Sequence, residues 1–555
     1  MVVTIFKPSR RDVRRQDTTF ALQQDNWNDY NFQTLYHLYY RRNDDPETVE
    51  LIGPVKILKQ GQTKADEIQL QADFERLGPE FCSVGISLDY YRHLKEVPEL
   101  HRTEILDALR DVVAHPELQS QFNAEPGWAT SLFRDIDPAE FLADASAVFR
   151  DNYSELAELS SNLSFHAAGW ADPLKLDFQA PEPELYAGAY RHVGPSRKDV
   201  LLPRRLIVLI GRNGAGKSTL LSRIARVAYA SPSDYVRSET ASIGKFDPPS
   251  VGFMKIVAIS YSAFDSFVVP GLFEDELSRL ASDVEAGGGR YVFAGLRDIA
   301  AEARDVVKAS EQTPSTDPGN PQRIASERRT TTYLKTLDQI ADEFARLIEQ
   351  IKTDEGDPLF ACALAPILAD PSFADVADGS PDSLLGDDPK TAFLSWSTGH
   401  KIVLHVVASL VAHTVRRSLV LYDEPETHLH PPLIAALMKA IRIILEERNA
   451  FAVVATHSPV VIQETLARHV RVVRRIGDSF HIITPDHETF GENAGALTYD
   501  VFGLSASVAD YQEVLDLLIA QLATVDEVEQ LFTGGISAQA RAYVMAGFAA
   551  KKSRT

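Results

Sequence analysis

The strongest constraint on this chain is a short glycine-rich run set between a strand and a helix. Leu206-Ile-Val-Leu-Ile210 is an unbroken apolar strand that runs directly into Gly211-Arg-Asn-Gly-Ala-Gly-Lys-Ser218. Thr219 to Ala228 then continues with Leu220, Leu221, Ile224 and Val227 at helical spacing. Glycines at 211, 214 and 216 let the backbone wrap a polyanion with its N–H groups, and the helix that follows adds a favourable dipole. This is a P-loop in the strand–loop–helix setting that gives the pattern its meaning. In that role Lys217 reaches the β- and γ-phosphates of ATP and Ser218 holds Mg²⁺. Gly211, Asn213, Gly214, Gly216 and Thr219 join them as nucleotide-binding residues.

A P-loop alone leaves many classes open, and three later segments narrow them. Ser418 to Pro425 reads as a short apolar strand ending in two carboxylates. Asp423 is placed to bind Mg²⁺, and Glu424, one residue further, to polarise an attacking water. Upstream, Trp396-Ser-Thr-Gly-His400 precedes an apolar helix from Lys401 to Val415. It presents Ser397, Gly399 and a helix N-terminus, a second phosphate-facing arrangement; an ordinary helix cap is the competing reading. Finally, Phe451 to Ala455 forms another buried strand followed by Thr456-His457-Ser458, which puts His457 where it can contact the γ-phosphate and report its loss.

Composition sets outer limits. The chain has 555 residues, is 45% hydrophobic and 24% charged, and carries a net charge of −22, which argues against a protein that coats nucleic acid. Only Cys82 and Cys362 occur, too few for a disulfide framework or a thiolate metal site, so a reducing, cytoplasmic setting is expected. The most apolar run, Ile402 to Val415, falls short of the ~20 residues that span a bilayer and reads as a buried helix. Basic residues Lys7, Arg10, Arg11, Arg14 and Arg15 have no apolar stretch behind them, so no secretory signal is expected.

The expected organisation has five parts. Residues 1–150 form an α+β N-terminal domain, opened by alternating Phe32, Thr34, Tyr36, Leu38 and Tyr40 and a second β-rich run from Val49 to Leu58. The aromatic stripe reads as core in preference to a base-stacking platform. Residues 151–271 form one ATPase lobe, 272–390 a mostly helical insertion with a polar loop from Gln312 to Gln322, 391–503 the second lobe, and 504–555 a helical tail. Within the insertion, Leu334, Leu337, Ala341, Phe344, Ile348 and Ile351 mark a helix with one apolar seam.

The four motifs, in this order, resemble an α/β ABC-type ATPase head, and Asp423-Glu-Pro-Glu-Thr-His-Leu-His-Pro431 is similar to the OLD/RecF/SMC branch. The turn at 396–400 departs from the usual Leu-Ser-Gly-Gly-Gln at Trp396, Thr398 and His400. The resemblance implies a homodimer that sandwiches two ATP molecules. Each site would draw Lys217, Ser218, Asp423, Glu424 and His457 from one chain and Ser397 and Gly399 from the other. It also makes Glu426, His428 and His430 part of a loop facing the partner; a His-x-His metal pair is the competing reading. The usual Q-loop glutamine is missing after Lys255–Ile259, where Ser262 or Asp265 is the candidate replacement. No Glu and Asp-x-Asp cluster follows His457, so the metal-dependent nuclease of OLD proteins is not expected. The chain is thus similar to stand-alone ATPases of phage-defence systems such as Septu and retron-associated ones, which act with a separately encoded effector, often a nuclease. A DNA-repair or DNA-tethering role is the alternative, for which Arg468, Arg471, Arg474 and Arg475, and the basic N-terminal tail, would supply the basic patches.

Overall fold

A computed structural model describes residues 3–6, 18–25, 32–41, 49–63, 70, 73–134, 136–150, 152–156, 163–178, 203–230, 240, 242–248, 252–263, 270, 277, 280–281, 284, 289–312, 332–374, 386, 388–477, 479–502 and 510–553. The basic tail, Asp265 and the stretch 313–322 of the expected polar loop lie outside the described residues.

Three sheets organise the chain. The first holds β1 (Val3–Phe6), β2 (Phe20–Gln24), β3 (Leu35–Arg41), β4 (Val49–Lys59), β5 (Asp73–Phe74) and β6 (Phe81–Gly85) in the order β5-β1-β2-β3-β4-β6. Antiparallel pairing of β3 with β4 joins the two β-rich runs in a hairpin, and Phe32, Thr34, Tyr36, Leu38 and Tyr40 are all buried, so the aromatic stripe is core. Helix α1 (Leu88–Glu96) packs on this sheet and α2 (Pro138–Phe149) packs on α1, within one apolar cluster. The α+β N-terminal unit thus has a core of its own, to which the ATPase part contributes Met254.

The second sheet is small and antiparallel: β7 (Leu163–Ala167), β8 (Leu174–Leu176) and β10 (Gly244–Asp247). The third has seven strands: β9 (Leu206–Ile210), β11 (Ile256–Ser260), β12 (Tyr291–Gly295), β13 (Leu419–Asp423), β14 (Phe451–Thr456), β15 (Val470–Ile476) and β16 (Ser479–Ile483). Their order is β12-β11-β13-β14-β9-β15-β16, parallel except for the last pair. Side chains alternate across it. Leu206, Val208 and Ile210 face one core, with α4 (Leu337–Thr353), α5 (Asp357–Leu368), α6 (Pro371–Ala374), α7 (Thr398–His413) and α8 (Pro431–Arg448); Ile207 and Leu209 face the other, with the P-loop helix α3 (Lys217–Tyr229) and the small sheet. The fold is that of a P-loop ATPase head with a helical insertion. One correction applies to the insertion: β12, inside the span 272–390 read as mostly helical, is an edge strand of the ATPase sheet.

Two arginines join the N-terminal unit to the ATPase sheet. Arg417, just before β13, pairs with Asp144 of α2 with both side chains buried. Arg290, just before β12, donates to Asp89 of α1 at 2.8 Å, to the carbonyls of Ala228 and Tyr229 at the end of the P-loop helix, and to that of Phe253. The described C-terminal helices, Asp510–Gln521, Val525–Glu529 and Ala538–Ser553, form a fourth, small core. Among the described residues no helix is long and apolar enough to cross a membrane.

Helix α7 brings a titration with it. His405 and His413 are buried, and burial lowers their pKa values to about 4 and about 3. Both are neutral when folded, whereas an unfolded histidine titrates near 6.5. The stability each contributes is therefore present above pH 6.5 and lost as pH falls. Urea unfolding at pH 7.5 and pH 5.5 should differ by about 1.4 kcal/mol for each histidine, and a His413→Leu variant should lose part of that difference.

Candidate nucleotide site

Register explains why distant motifs meet. Strand β14 lies between the P-loop strand β9 and the acidic strand β13, with Asp423 opposite Ala455 and Thr456 opposite Ile210. Gly211, Glu424 and His457 consequently leave the sheet together at one edge. Gly214 and Gly216 have φ of 77° and 92°, which side-chain-bearing residues rarely adopt, and Gly216 caps the P-loop helix. A side chain at 216 would also press on a stacked pair, Trp170 and Phe480, whose ring centroids are 4.9 Å apart. Asn213 is exposed on the loop and Thr219 half-buried on the first helical turn.

Lys217 is 4% exposed and donates to the carbonyl of Gly211 at 3.0 Å and to Nε2 of His457 at 2.8 Å. Burial lowers its pKa to about 8, opposed by Asp423, Glu424 and Glu426, so it remains cationic at pH 7. Burial, and then Lys217, hold His457 down at about 4. A neutral imidazole therefore accepts from the ammonium. Ser218 Oγ donates to Asp423 Oδ1 at 2.9 Å. A hydroxyl and a carboxylate so close are the hard-oxygen donors Mg²⁺ prefers, and the N–H-lined loop beside them fits a phosphate chain.

Glu424 sits at φ 53° immediately after β13, its backbone N–H bonded to Ala455 O at 2.8 Å and its Oε1 3.9 Å from His457 Nε2. Left-handed backbone at a non-glycine residue is a local strain of the kind that concentrates at functional positions. The structure thus brings Lys217, Ser218, Asp423, Glu424 and His457 together. It does not bring Ser397 and Gly399 to them: Ser397 caps α7 and is exposed, and Gly399 packs against the backbone of His428.

Glu426 differs from its expected role facing a partner. Its carboxylate accepts from Thr456 Oγ1 at 2.8 Å and from the backbone N–H of His457 at 2.5 Å, and its pKa is raised, chiefly by burial. It holds the His457 turn in place. The turn at Glu424 reverses the chain, so the carboxylate two residues later points back at the neighbouring strand end. His428 is exposed, while His430 caps α8. Among the described residues no group of three or more His, Cys, Asp or Glu side chains is arranged to hold a metal. Where the Q-loop glutamine was missing, Ser260 and Tyr261 are buried, and Tyr261 OH bonds His405 Nδ1 at 2.5 Å.

Residues 206–463, from the P-loop strand to just past His457, match the family model described as "AAA domain, putative AbiEii toxin, Type IV TA system". The chain carries a P-loop ATPase domain. Over 550 residues, 95% of this chain and 94% of the relative, it is 28% identical to Protein ea59 of Escherichia phage lambda. Among solved structures, the SMC head bound to the C-terminal winged-helix domain of ScpA is similar at 13% identity, covering 59% of this chain and 98% of that one with a TM-score of 0.25.

The basic patch of the DNA-tethering alternative is largely occupied within the ATPase domain. Arg468 pairs with Asp177 at 2.6 Å, and Arg471 is buried, donating to the carbonyls of Arg468, Val470 and Lys175. Arg475 lies over the Phe480 ring.

Proposed function

We propose that the protein is an ATP-hydrolysing switch whose two copies close around two nucleotides and reopen on hydrolysis, and that it controls a separately encoded effector, such as a nuclease, in conflict between bacteria and phages. One observation carries the dimer reading. Ser397 and Thr398 stand exposed at the start of α7, apart from Lys217, Asp423 and Glu424 of their own chain. A helix N-terminus with an exposed serine suits a γ-phosphate, and a second copy supplies one. Five groups at one strand edge then have distinct work. Lys217 and the loop N–H groups bind the phosphates, Ser218 and Asp423 would hold Mg²⁺, Glu424 takes the proton of the attacking water, and His457 contacts the γ-phosphate. Bound Mg²⁺ neutralises charge developing on the phosphate oxygens. The phage setting is supported by the phage-encoded relative that matches almost end to end and by the toxin named in the matching family.

Glu424→Gln, with ATP and Mg²⁺, is expected to run as a stable dimer by light scattering, and as a monomer with ADP. A monomer under both conditions would remove the dimer reading.

A further inference from the structure

The turn at 396–400 is gripped from behind by the helical insertion. Ser372, at the start of α6, donates its hydroxyl proton to Asp370 Oδ1 at 2.6 Å. Its oxygen then has two acceptor positions, and two imidazoles approach it: His400 Nε2 at 3.0 Å and His430 Nε2 at 3.4 Å. Both must donate, which sets them as Nε2–H tautomers. For His430 this agrees with its other nitrogen accepting from Leu433 N–H at 3.4 Å in the cap of α8. Beside this hub the Phe373 ring lies 4.0 Å from the His400 ring and 5.1 Å from that of Trp396, all three residues being buried. Across the turn, Gly399 packs against the backbone of His428, between Glu424 and α8.

The insertion therefore ties together two segments, 396–400 and 428–430, and leaves only Ser397 and Thr398 exposed at the front of the first. Trp396 and His400, two of the three positions where this turn departs from Leu-Ser-Gly-Gly-Gln, are the residues that Phe373 and Ser372 hold. We propose that Asp370, Ser372 and Phe373 are positioning residues that preset the exposed serine turn for the nucleotide of the partner subunit, so that movement of the insertion changes how readily two copies close on ATP. This rests on the dimer reading above.

The test uses the full chain carrying Glu424→Gln, in which ATP-dependent dimer is read by light scattering and each chain's own nucleotide affinity by equilibrium titration below the dimerising concentration. Adding Ser372→Ala or His400→Ala should raise the ATP concentration for half-maximal dimer by about tenfold, the scale of one or two lost hydrogen bonds. Own-site affinity should stay within about twofold. His400→Gln, whose amide nitrogen can reach the same hydroxyl, should restore much of the loss. Unchanged dimerisation in both alanine variants would overturn this inference and leave the dimer reading standing. A fall in own-site affinity equal to the dimer defect would also overturn it, as general loss of structure. No dimer in the Glu424→Gln parent would overturn both.

Discussion

Replacing Glu424 by glutamine is expected to lower steady-state ATP turnover by about 10²–10⁴-fold, the usual contribution of a positioned general base, while ATP binding changes by less than about twofold. Phosphate release and equilibrium nucleotide binding measure the two quantities. The substitution is suited to the site because glutamine is the same size and meets the same demand of a 53° φ; only the proton acceptor is removed. His457, 3.9 Å from the Glu424 carboxylate, is held neutral by burial and by Lys217. Asp423→Asn would be a poorer test, since Asp423 accepts from Ser218 and its loss would disturb the hydroxyl–carboxylate pair suited to Mg²⁺. Turnover within tenfold of wild type in Glu424→Gln would exclude Glu424 as the base.

Arg417→Ala is expected to destabilise the chain by about 3–5 kcal/mol, measured as a shift in urea midpoint. Arg417 and Asp144 are 4% and 5% exposed, and alanine leaves the Asp144 carboxylate buried with its cation gone. Most of that cost is the loss of one member of a buried ion pair. The double variant Arg417→Met/Asp144→Leu should therefore recover most of the loss, because removing both charges costs little when volume is kept. Glu140, 3.9 Å from the same guanidinium and more exposed, has water to compensate it. A single-variant effect below about 1 kcal/mol would show that the pair does not hold the two units together.

The chemical residues were legible because each follows an apolar run that can only be a buried strand: Leu206–Ile210 before the P-loop, Leu419–Tyr422 before the carboxylates, Phe451–Ala455 before His457. What those runs do not encode is who pairs with whom. Insertion of β14 between β9 and β13 is a non-local choice, made by burial of all three on both faces. Tyr291–Gly295 was absorbed into a helical span because five apolar residues lack the length to separate strand from helix. Glu426 was read as facing outward because its direction depends on the left-handed turn at Glu424, and only the close Glu-Pro-Glu spacing hinted at it. Trp170 and Phe480 meet beside Gly216 from distant parts of the chain, with no periodicity to announce them.

The P-loop helix, 13 residues and about 20 Å long, is pinned at both ends. Its first turn carries Lys217 and Ser218, and the carbonyls of its last turn are taken by Arg290, which also grips Asp89. Such a helix acts as a strut between two anchors. One arginine therefore joins the end of the helix that carries Lys217 and Ser218 to α1 of the N-terminal unit. The N-terminal unit and the nucleotide site thus share a single helix as a hydrogen-bonded connection through Arg290 and Asp89.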